Sequence, residues 1–270
     1  MRVYLDNNVL ISMEENSYGL KDFLSVPRVE YYYSNAHISE LLNGIDKSIP
    51  GLKETRLSTI NAVCGNKYLF QDTSFTIRLA RCTPEQAYDN VSRFGFMRGS
   101  INELARSFTP NRAGILEELQ WDAKEVGNYT PEEIFDVIDK KYQASKYHYG
   151  IEEYLRLSEA YTESTVYSSL FNLLDMVSYR KDKNNVARLY DSSHAYYARK
   201  CAILVSDDVR MRVKAEAVYH YLNVHTRVMS ADEFLKLYLN SNSYKLCLLF
   251  HLSVFAEFKS PGTQCSERWI

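Results

Sequence analysis

Four carboxylates stand where their chemistry could be pooled. Asp6 closes the apolar run Val3-Tyr4-Leu5, and Glu40 lies 34 residues on, in a helical stretch. Asp191 is read as opening a helix, and Asp208 comes 17 residues after it, in Ser206-Asp207-Asp208 behind the apolar run Cys201 to Val205. Strand ends and first helical turns are where open α/β sheets present their ligands. Carboxylates gathered at close quarters repel and raise one another's pKa values unless a cation offsets them. A hard, oxygen-seeking ion such as Mg²⁺ or Mn²⁺ suits such a set, and one or two of these ions can polarise a phosphodiester and activate water against it. Each acid also has a plain structural role open to it: turn or helix cap for Asp6, Asp191 and Asp208, a solvated helix face for Glu40. The set points to a cation; no single member does.

Positioning these acids falls to two α/β stretches separated by helices. Val3 to Leu5 with Val9 to Ile11 is read as a β-rich run interrupted by Asp6-Asn7-Asn8, and Val29 to Tyr33 as a second strand. Ser34-Asn35 suits a helix N-cap, and the helix carrying Ile38, Leu41 and Leu42 stops at Asn43-Gly44. From 51 to 185 the pattern is helical throughout, with helices expected over 52–63, 113–126 and 151–177. Thr83-Pro84-Glu85-Gln86 and Thr130-Pro131-Glu132-Glu133 both have the form of a capping box with Pro at the first helical position. The α/β rhythm then returns, with a helix from Asp191 to Lys200, a strand from Cys201 to Val205, a helix over 209–217 and a strand from Val224 to Val228. Ser230-Ala231-Asp232-Glu233 is a further capping box, opening the helix Phe234 to Leu239. Neither α/β piece is large enough to hold a core alone, so the expectation is one discontinuous parallel-sheet domain, 1–50 with 186–240. A helical insertion, 51–185, lies between its halves, and a tail, 241–270, has no assignable fold.

The motifs in order resemble those of PIN-domain nucleases. Tyr4-Leu5-Asp6-Asn7-Asn8-Val9-Leu10-Ile11 resembles that family's opening strand, and Ser34-Asn35-Ala36-His37-Ile38-Ser39-Glu40-Leu41 its second motif, which supplies a Glu from a helix. Asp191-Ser192-Ser193-His194-Ala195, followed by Ala202-Ile203-Leu204-Val205-Ser206-Asp207-Asp208, looks like the third and fourth motifs. Val228-Met229-Ser230-Ala231-Asp232-Glu233-Phe234-Leu235 is similar to the last strand and helix. The resemblance implies a PIN-like α/β three-layer sandwich with a central parallel sheet, here carrying an all-helical insertion absent from small toxin-type members. It also implies a metal-binding, catalytic quartet of Asp6, Glu40, Asp191 and Asp208, with Asn8 and Ser206 as supporting polar groups. Asp207, adjacent to Asp208, is an alternative ligand, although the Ser-x-Asp spacing favours Asp208.

The charge distribution fits a phosphate-bearing substrate better than the net charge of −2 suggests. Residues 53–112 sum to +4 and 180–214 to +5, separated by −7 over 113–170. Arg210, Arg212 and Lys214 follow Asp208, while Arg180, Lys181, Lys183 and Arg188 precede Asp191; together they form a candidate phosphate-binding rim. Arg78, Arg81, Arg93, Arg98, Arg106 and Arg112 would extend it. Of the 22 tyrosines, Tyr31-Tyr32-Tyr33 reads as core, whereas Tyr147 and Tyr149 are candidates to stack on bases. His37 and His194 lie near the acids in sequence; His194, one helical turn after Asp191, is read first as a packing residue and second as a group behind the acids or facing substrate.

Other classes fall away. Five scattered cysteines with no C-x-x-C pair favour neither a disulfide framework nor a zinc site and suit a reducing, cytoplasmic setting. An acid at position six does not suit a signal peptide, and the apolar run Leu246 to Phe258 is too short to span a bilayer. No nucleotide-binding or hydrolase-elbow glycine motif occurs, and Asp6-Asn7-Asn8 lacks the second Asp of an aspartyl-phosphate phosphatase. With the resemblance and the carboxylate set, the expected function is a PIN-like, metal-dependent hydrolase: an endoribonuclease acting on single-stranded or structured RNA, with the insertion shaping substrate choice, binding a protein partner or self-associating. The alternatives are a structure-specific DNA nuclease and a catalytically silent nucleic-acid-binding or assembly module.

Overall fold

The computed structural model describes residues 1–44, 49–93, 112–181 and 185–239. The chain begins with β1 (Arg2–Leu5), α1 (Asn7–Glu14), α2 (Leu20–Leu24), β2 (Glu30–Ser34) and α3 (Asn35–Gly44). Next come α4 (Leu52–Cys64), β3 (Lys67–Gln71), β4 (Ile77–Arg81) and α5 (Pro84–Ser92). Five helices follow: α6 (Arg112–Glu118), α7 (Ala123–Val126), α8 (Ile134–Ala144), α9 (Ile151–Leu157) and α10 (Glu163–Met176). The last described part is α11 (Asn185–Ala198), β5 (Ile203–Val205), α12 (Val209–Tyr221), β6 (Arg227–Met229) and α13 (Ala231–Tyr238).

The six strands form one sheet in the order β4-β3-β2-β1-β5-β6, parallel except for the antiparallel β3–β4 hairpin. β1 sits between β2 and β5, with Tyr4 paired to Tyr32 on one side and Leu204 on the other. The chain builds outwards from β1 in one direction, then returns to build in the other. That reversal leaves a crevice at the carboxyl ends of β1 and β5.

Alternation along the strands creates two cores. Val3, Leu5, Tyr31, Tyr33, Ile203 and Val205 pack on one face with residues of α1, α2, α3, α4, α5 and α13. Tyr4, Tyr32, Leu69 and Leu204 pack on the other with residues of α8, α10, α11 and α12. The result is a three-layer α/β arrangement with both faces of the sheet covered, which explains why β1 and β5 are apolar at every position after Arg2. Tyr31-Tyr32-Tyr33 is core, as its run of aromatics suggests. No described helix is long and apolar enough to cross a membrane.

Several local expectations are corrected. Val9 to Ile11 continue no strand; they lie in α1, where Asp6 in extended geometry caps the helix and Val9, Leu10 and Met13 are buried. A short apolar run fits either helix or strand, and here the Asp6 cap decides. Residues 51–185 are not all helical, since β3 and β4 extend the sheet next to β2, with Tyr33 opposite Tyr68. Their turn is built by Asp72, whose carboxylate accepts from the backbone N–H groups of Ser74 and Thr76. The later helices of that segment share their core with Tyr4, Tyr32 and Leu204, so they form a layer of the sheet domain. The helix expected over 113–126 breaks at Gln120 (φ 47°), and the one over 151–177 breaks at Glu159 (φ 54°) before the Thr162 capping box restarts it as α10. Asp191 does not open its helix: α11 begins at Asn185, with Arg188, Ser192 and Ala195 buried at helical spacing. The linker and tail expected over 240–270 lie outside the described residues.

One buried ion pair ties α10 to its neighbours. Asp175 is fully buried and its Oδ2 lies 2.6 Å from Arg112 Nη2 and 3.4 Å from Arg188 Nη1. Removing one partner of a buried pair leaves an uncompensated charge. Asp175→Asn is expected to lower unfolding free energy by about 3 kcal/mol in urea titrations; an unchanged midpoint would show that the pair is energetically idle.

Candidate metal centre

β1 ends at Leu5, and the next residue, Asp6, is buried at the sheet's crevice. Its two oxygens have separate surroundings. Oδ1 accepts from the Asn7 backbone N–H at 2.8 Å, while Oδ2 accepts from Ser206 Oγ at 2.7 Å and Asn8 Nδ2 at 2.8 Å. Asn8 also donates to Ser206 Oγ at 3.0 Å and accepts from the Asp207 backbone N–H at 3.1 Å. The loops after β1 and β5 are thus stitched together around one carboxylate, and Asn8 and Ser206 both touch Asp6.

Glu40 arrives from α3 with its side chain 38% exposed, so it faces the crevice mouth. Its Oε2 accepts from Asn7 Nδ2 and lies 3.0 Å from His194 Nε2. The same imidazole nitrogen, carried by α11, lies 3.6 Å from Asp6 Oδ1. Asp6, Glu40 and His194 each offer a ligand atom within 4.8 Å of the other two. Among the described residues, Asp191, Asp207 and Asp208 are outside this group.

A polar chain backs the imidazole on the apolar side. Tyr4, on the face of β1 opposite Val3 and Leu5, places its buried hydroxyl 2.8 Å from His194 Nδ1, 2.7 Å from Ser34 Oγ and 3.2 Å from His37 Nδ1. His37 Nε2 is 2.7 Å from the Leu5 carbonyl, which can only accept, so that nitrogen carries the proton. His37 Nδ1 in turn accepts from the Ser34 backbone N–H at 3.1 Å.

The electrostatics follow from burial and proximity. Burial pushes the Asp6 carboxyl above its usual range and Glu40 adds to this, while His194 and Ser206 oppose it. Burial would raise Glu40 too, but His194, Asn7 and Arg56 together hold it below its ordinary value. Burial alone would depress the His194 imidazole, yet Asp6 and Glu40 hold it above. Burial, reinforced by His194, pushes His37 well below, in keeping with its neutral role.

The remaining expected residues lie outside the Asp6, Glu40 and His194 group. Asp208 caps α12, accepting from the backbone N–H groups of Arg210 at 2.7 Å and Met211 at 3.1 Å. Asp207 accepts from the Ala231 backbone N–H at 3.0 Å, at the start of α13. Asp191 is half-buried in the middle of α11. The basic rim shrinks. Arg210 is exposed, and Arg212 donates to the Ser206 carbonyl at 2.7 Å, beside the Asp6 loop. Lys214, however, is fully buried, its ammonium 5.4 Å from the centre of the Phe171 ring. Arg188 is buried against Asp175, and Lys183 lies outside the described residues, as do Arg98 and Arg106. Arg112 is bound to Asp175 and Arg78 to Asp72. Tyr147 and Tyr149 pack against Tyr142, with ring centres 5.5 and 5.7 Å away.

Two clefts flank the cluster. One, about 200 Å³, is lined by Asn7, Glu40, Glu14 and Arg56; the other, about 350 Å³, by neutral groups including Asn35, Ser39, Asn43, Gln71 and Ser193. His194, which the sequence reads first as a packing residue and only second as a group near the acids, is the residue that joins them. Its signals there are a place one helical turn after Asp191 and a polar ring just before the small and aromatic stretch Ala195 to Ala198, both equally compatible with packing.

The donors of Asp6 make a stability prediction. Ser206→Ala removes a hydrogen bond to a buried carboxylate and is expected to cost about 2 kcal/mol in chemical denaturation. An unchanged unfolding midpoint would mean that Asp6 is held without it.

Comparison of the chain with protein-family models, with curated proteins and with solved structures finds no match. The residues themselves establish a carboxylate–imidazole cluster at the switch point of a mostly parallel sheet.

Proposed function

We propose that this chain is a PIN-like, divalent-metal-dependent nuclease, an endoribonuclease hydrolysing phosphodiester bonds in single-stranded or structured RNA. The observation that carries this reading is the convergence of Asp6 and Glu40, 34 residues apart, on one point at the carboxyl end of β1. Their donor chemistry fits a hard divalent ion: two carboxylates in a polar crevice, one braced on its far oxygen and the other open to the mouth. Asp6 and Glu40 would hold Mg²⁺ or Mn²⁺, which when bound would polarise the phosphodiester and activate water.

The chain's own groups supply the rest. Asn8 and Ser206 fix the Asp6 carboxylate so that Oδ1 faces the cluster. Arg210 and Arg212 offer cationic partners for backbone phosphates near it, while Arg56 is paired with Glu14; the neutral cleft by Ser39 and Ser193 has room for a base. Unpaired bases can enter such a cleft, which favours RNA loops or single strands over a duplex. Free thiols at Cys64, Cys82 and Cys201 fit a reducing, cytoplasmic setting.

A second reading has its own observation. His194 lies between the two acids, and as an imidazolium it would offset one of their two charges without a metal, leaving a silent nucleic-acid-binding module.

Cleavage assays in Mn²⁺ separate the readings. Asp6→Asn and Glu40→Gln are each expected to slow single-stranded RNA cleavage about a hundredfold or more, with folding verified by circular dichroism. Unchanged rates would defeat the nuclease assignment, and faster cleavage of a flapped DNA would transfer it to DNA.

A further inference from the structure

We propose that His194 is a direct nitrogen ligand, through Nε2, of the cation held by Asp6 and Glu40, and that it turns the site towards first-row transition ions such as Mn²⁺ and away from Mg²⁺. This inference rests on the metal-dependent reading above and specifies its ligand set. Ligand atoms bonded to one ion at about 2.1 Å lie roughly 3–3.5 Å apart. Nε2 is 3.0 Å from Glu40 Oε2 and 3.6 Å from Asp6 Oδ1, close to that spacing before any adjustment.

The groups behind the ring suit a ligand better than a packing residue. A metal-bound imidazole typically donates its other N–H to a partner that fixes its orientation. Here the partner is the Tyr4 hydroxyl, 2.8 Å from Nδ1. Tyr4 can accept from that N–H and donate its own O–H to Ser34 Oγ, 2.7 Å away. His37 is no competing donor to Tyr4, because its proton sits on Nε2 at the Leu5 carbonyl and its Nδ1 accepts from the Ser34 backbone N–H. That polarity allows Nδ1–H on His194 with the Nε2 lone pair facing the acids. Tyr4 acts here as a positioning residue.

Nitrogen changes which ion the site prefers. Mg²⁺ favours all-oxygen surroundings and dehydrates reluctantly, whereas imidazole nitrogen binds transition ions more strongly. A carboxylate pair alone would show far less discrimination.

The test uses the full chain with MnCl₂ and MgCl₂ as probes. Electron spin-echo envelope modulation of the Mn²⁺-loaded wild-type protein is expected to show directly bound nitrogen that changes on ¹⁵N-histidine labelling. Calorimetry should give Mn²⁺ binding about tenfold or more tighter than Mg²⁺. His194→Ala should weaken Mn²⁺ about tenfold or more and leave Mg²⁺ nearly unchanged. Tyr4→Phe, which keeps the ring and removes only the hydroxyl, should weaken Mn²⁺ selectively while leaving thermal unfolding a single transition. If His194 were only a neutralising cation, its removal would leave the acids more negative, and Mn²⁺ would bind as well or better. That result, or Mn²⁺ bound without histidine nitrogen coupling, overturns this inference and leaves the carboxylate reading standing. Absence of any divalent binding would overturn both. The spectroscopic experiment needs no variant, so a His194→Ala protein that fails to fold does not shield the proposal.

Discussion

Removing a carboxylate from water costs several kcal/mol, and setting a second beside it adds repulsion. Asp6 and Glu40 impose that constraint at the end of the central strand, and much of the surrounding polar structure answers it. Asp6 receives three hydrogen bonds, from the Asn7 backbone and from the side chains of Asn8 and Ser206. Glu40 accepts from Asn7, and His194 Nε2 lies 3.0 Å from it. His194 in turn is held by Tyr4, and Tyr4 by Ser34 and His37. Asn8, Ser206, Tyr4, Ser34 and His37 are each engaged by another member of this network, as a buried network requires.

The architecture explains how these groups meet. Alternation on β1 sends Tyr4 to one core and Leu5 to the other, and Asp6 emerges at the strand end between them. α3 brings Glu40 while anchoring Ile38 and Leu41 in one core. α11 brings His194 while anchoring Ala195, Tyr196 and Tyr197 in the opposite core. The cluster therefore bridges both helical layers across the sheet edge, and its geometry depends on both being packed. The hairpin β3–β4 and the helices α8 and α10 matter to the site for that reason: they complete the layer on which α11 rests.

Charge placement also has a physical logic that a running total hides. In sequence the basic stretch 180–214 reads as a candidate phosphate rim, yet Arg188 and Lys214 point inwards, one to Asp175 and the other over Phe171. A long basic side chain can bury its stem against apolar surface wherever its head finds a partner. Arg210 and Arg212 remain beside the Asp6 loop, and Arg56 comes from the other flank.

The sequence by itself determined the local devices. Asp6 at a strand end, the helix carrying Glu40, the Thr83 and Ser230 capping boxes and the buried aromatic strand all follow from residue type and short spacing, and the structure has each of them. Short-range rules fail where one residue suits two conformations, as with Val9 to Ile11, or where a hairpin lies among helical segments, as with β3–β4. Only the tertiary structure decided which polar groups share a point in space. Asp191 lies in α11 and Asp208 caps α12, and the Asp6, Glu40 and His194 group includes neither. His194, separated by 154 residues from Glu40, is brought to the acids by the packing of α11. Periodicity reports which face of a helix is buried; it carries no information about what the opposite layer places against that face.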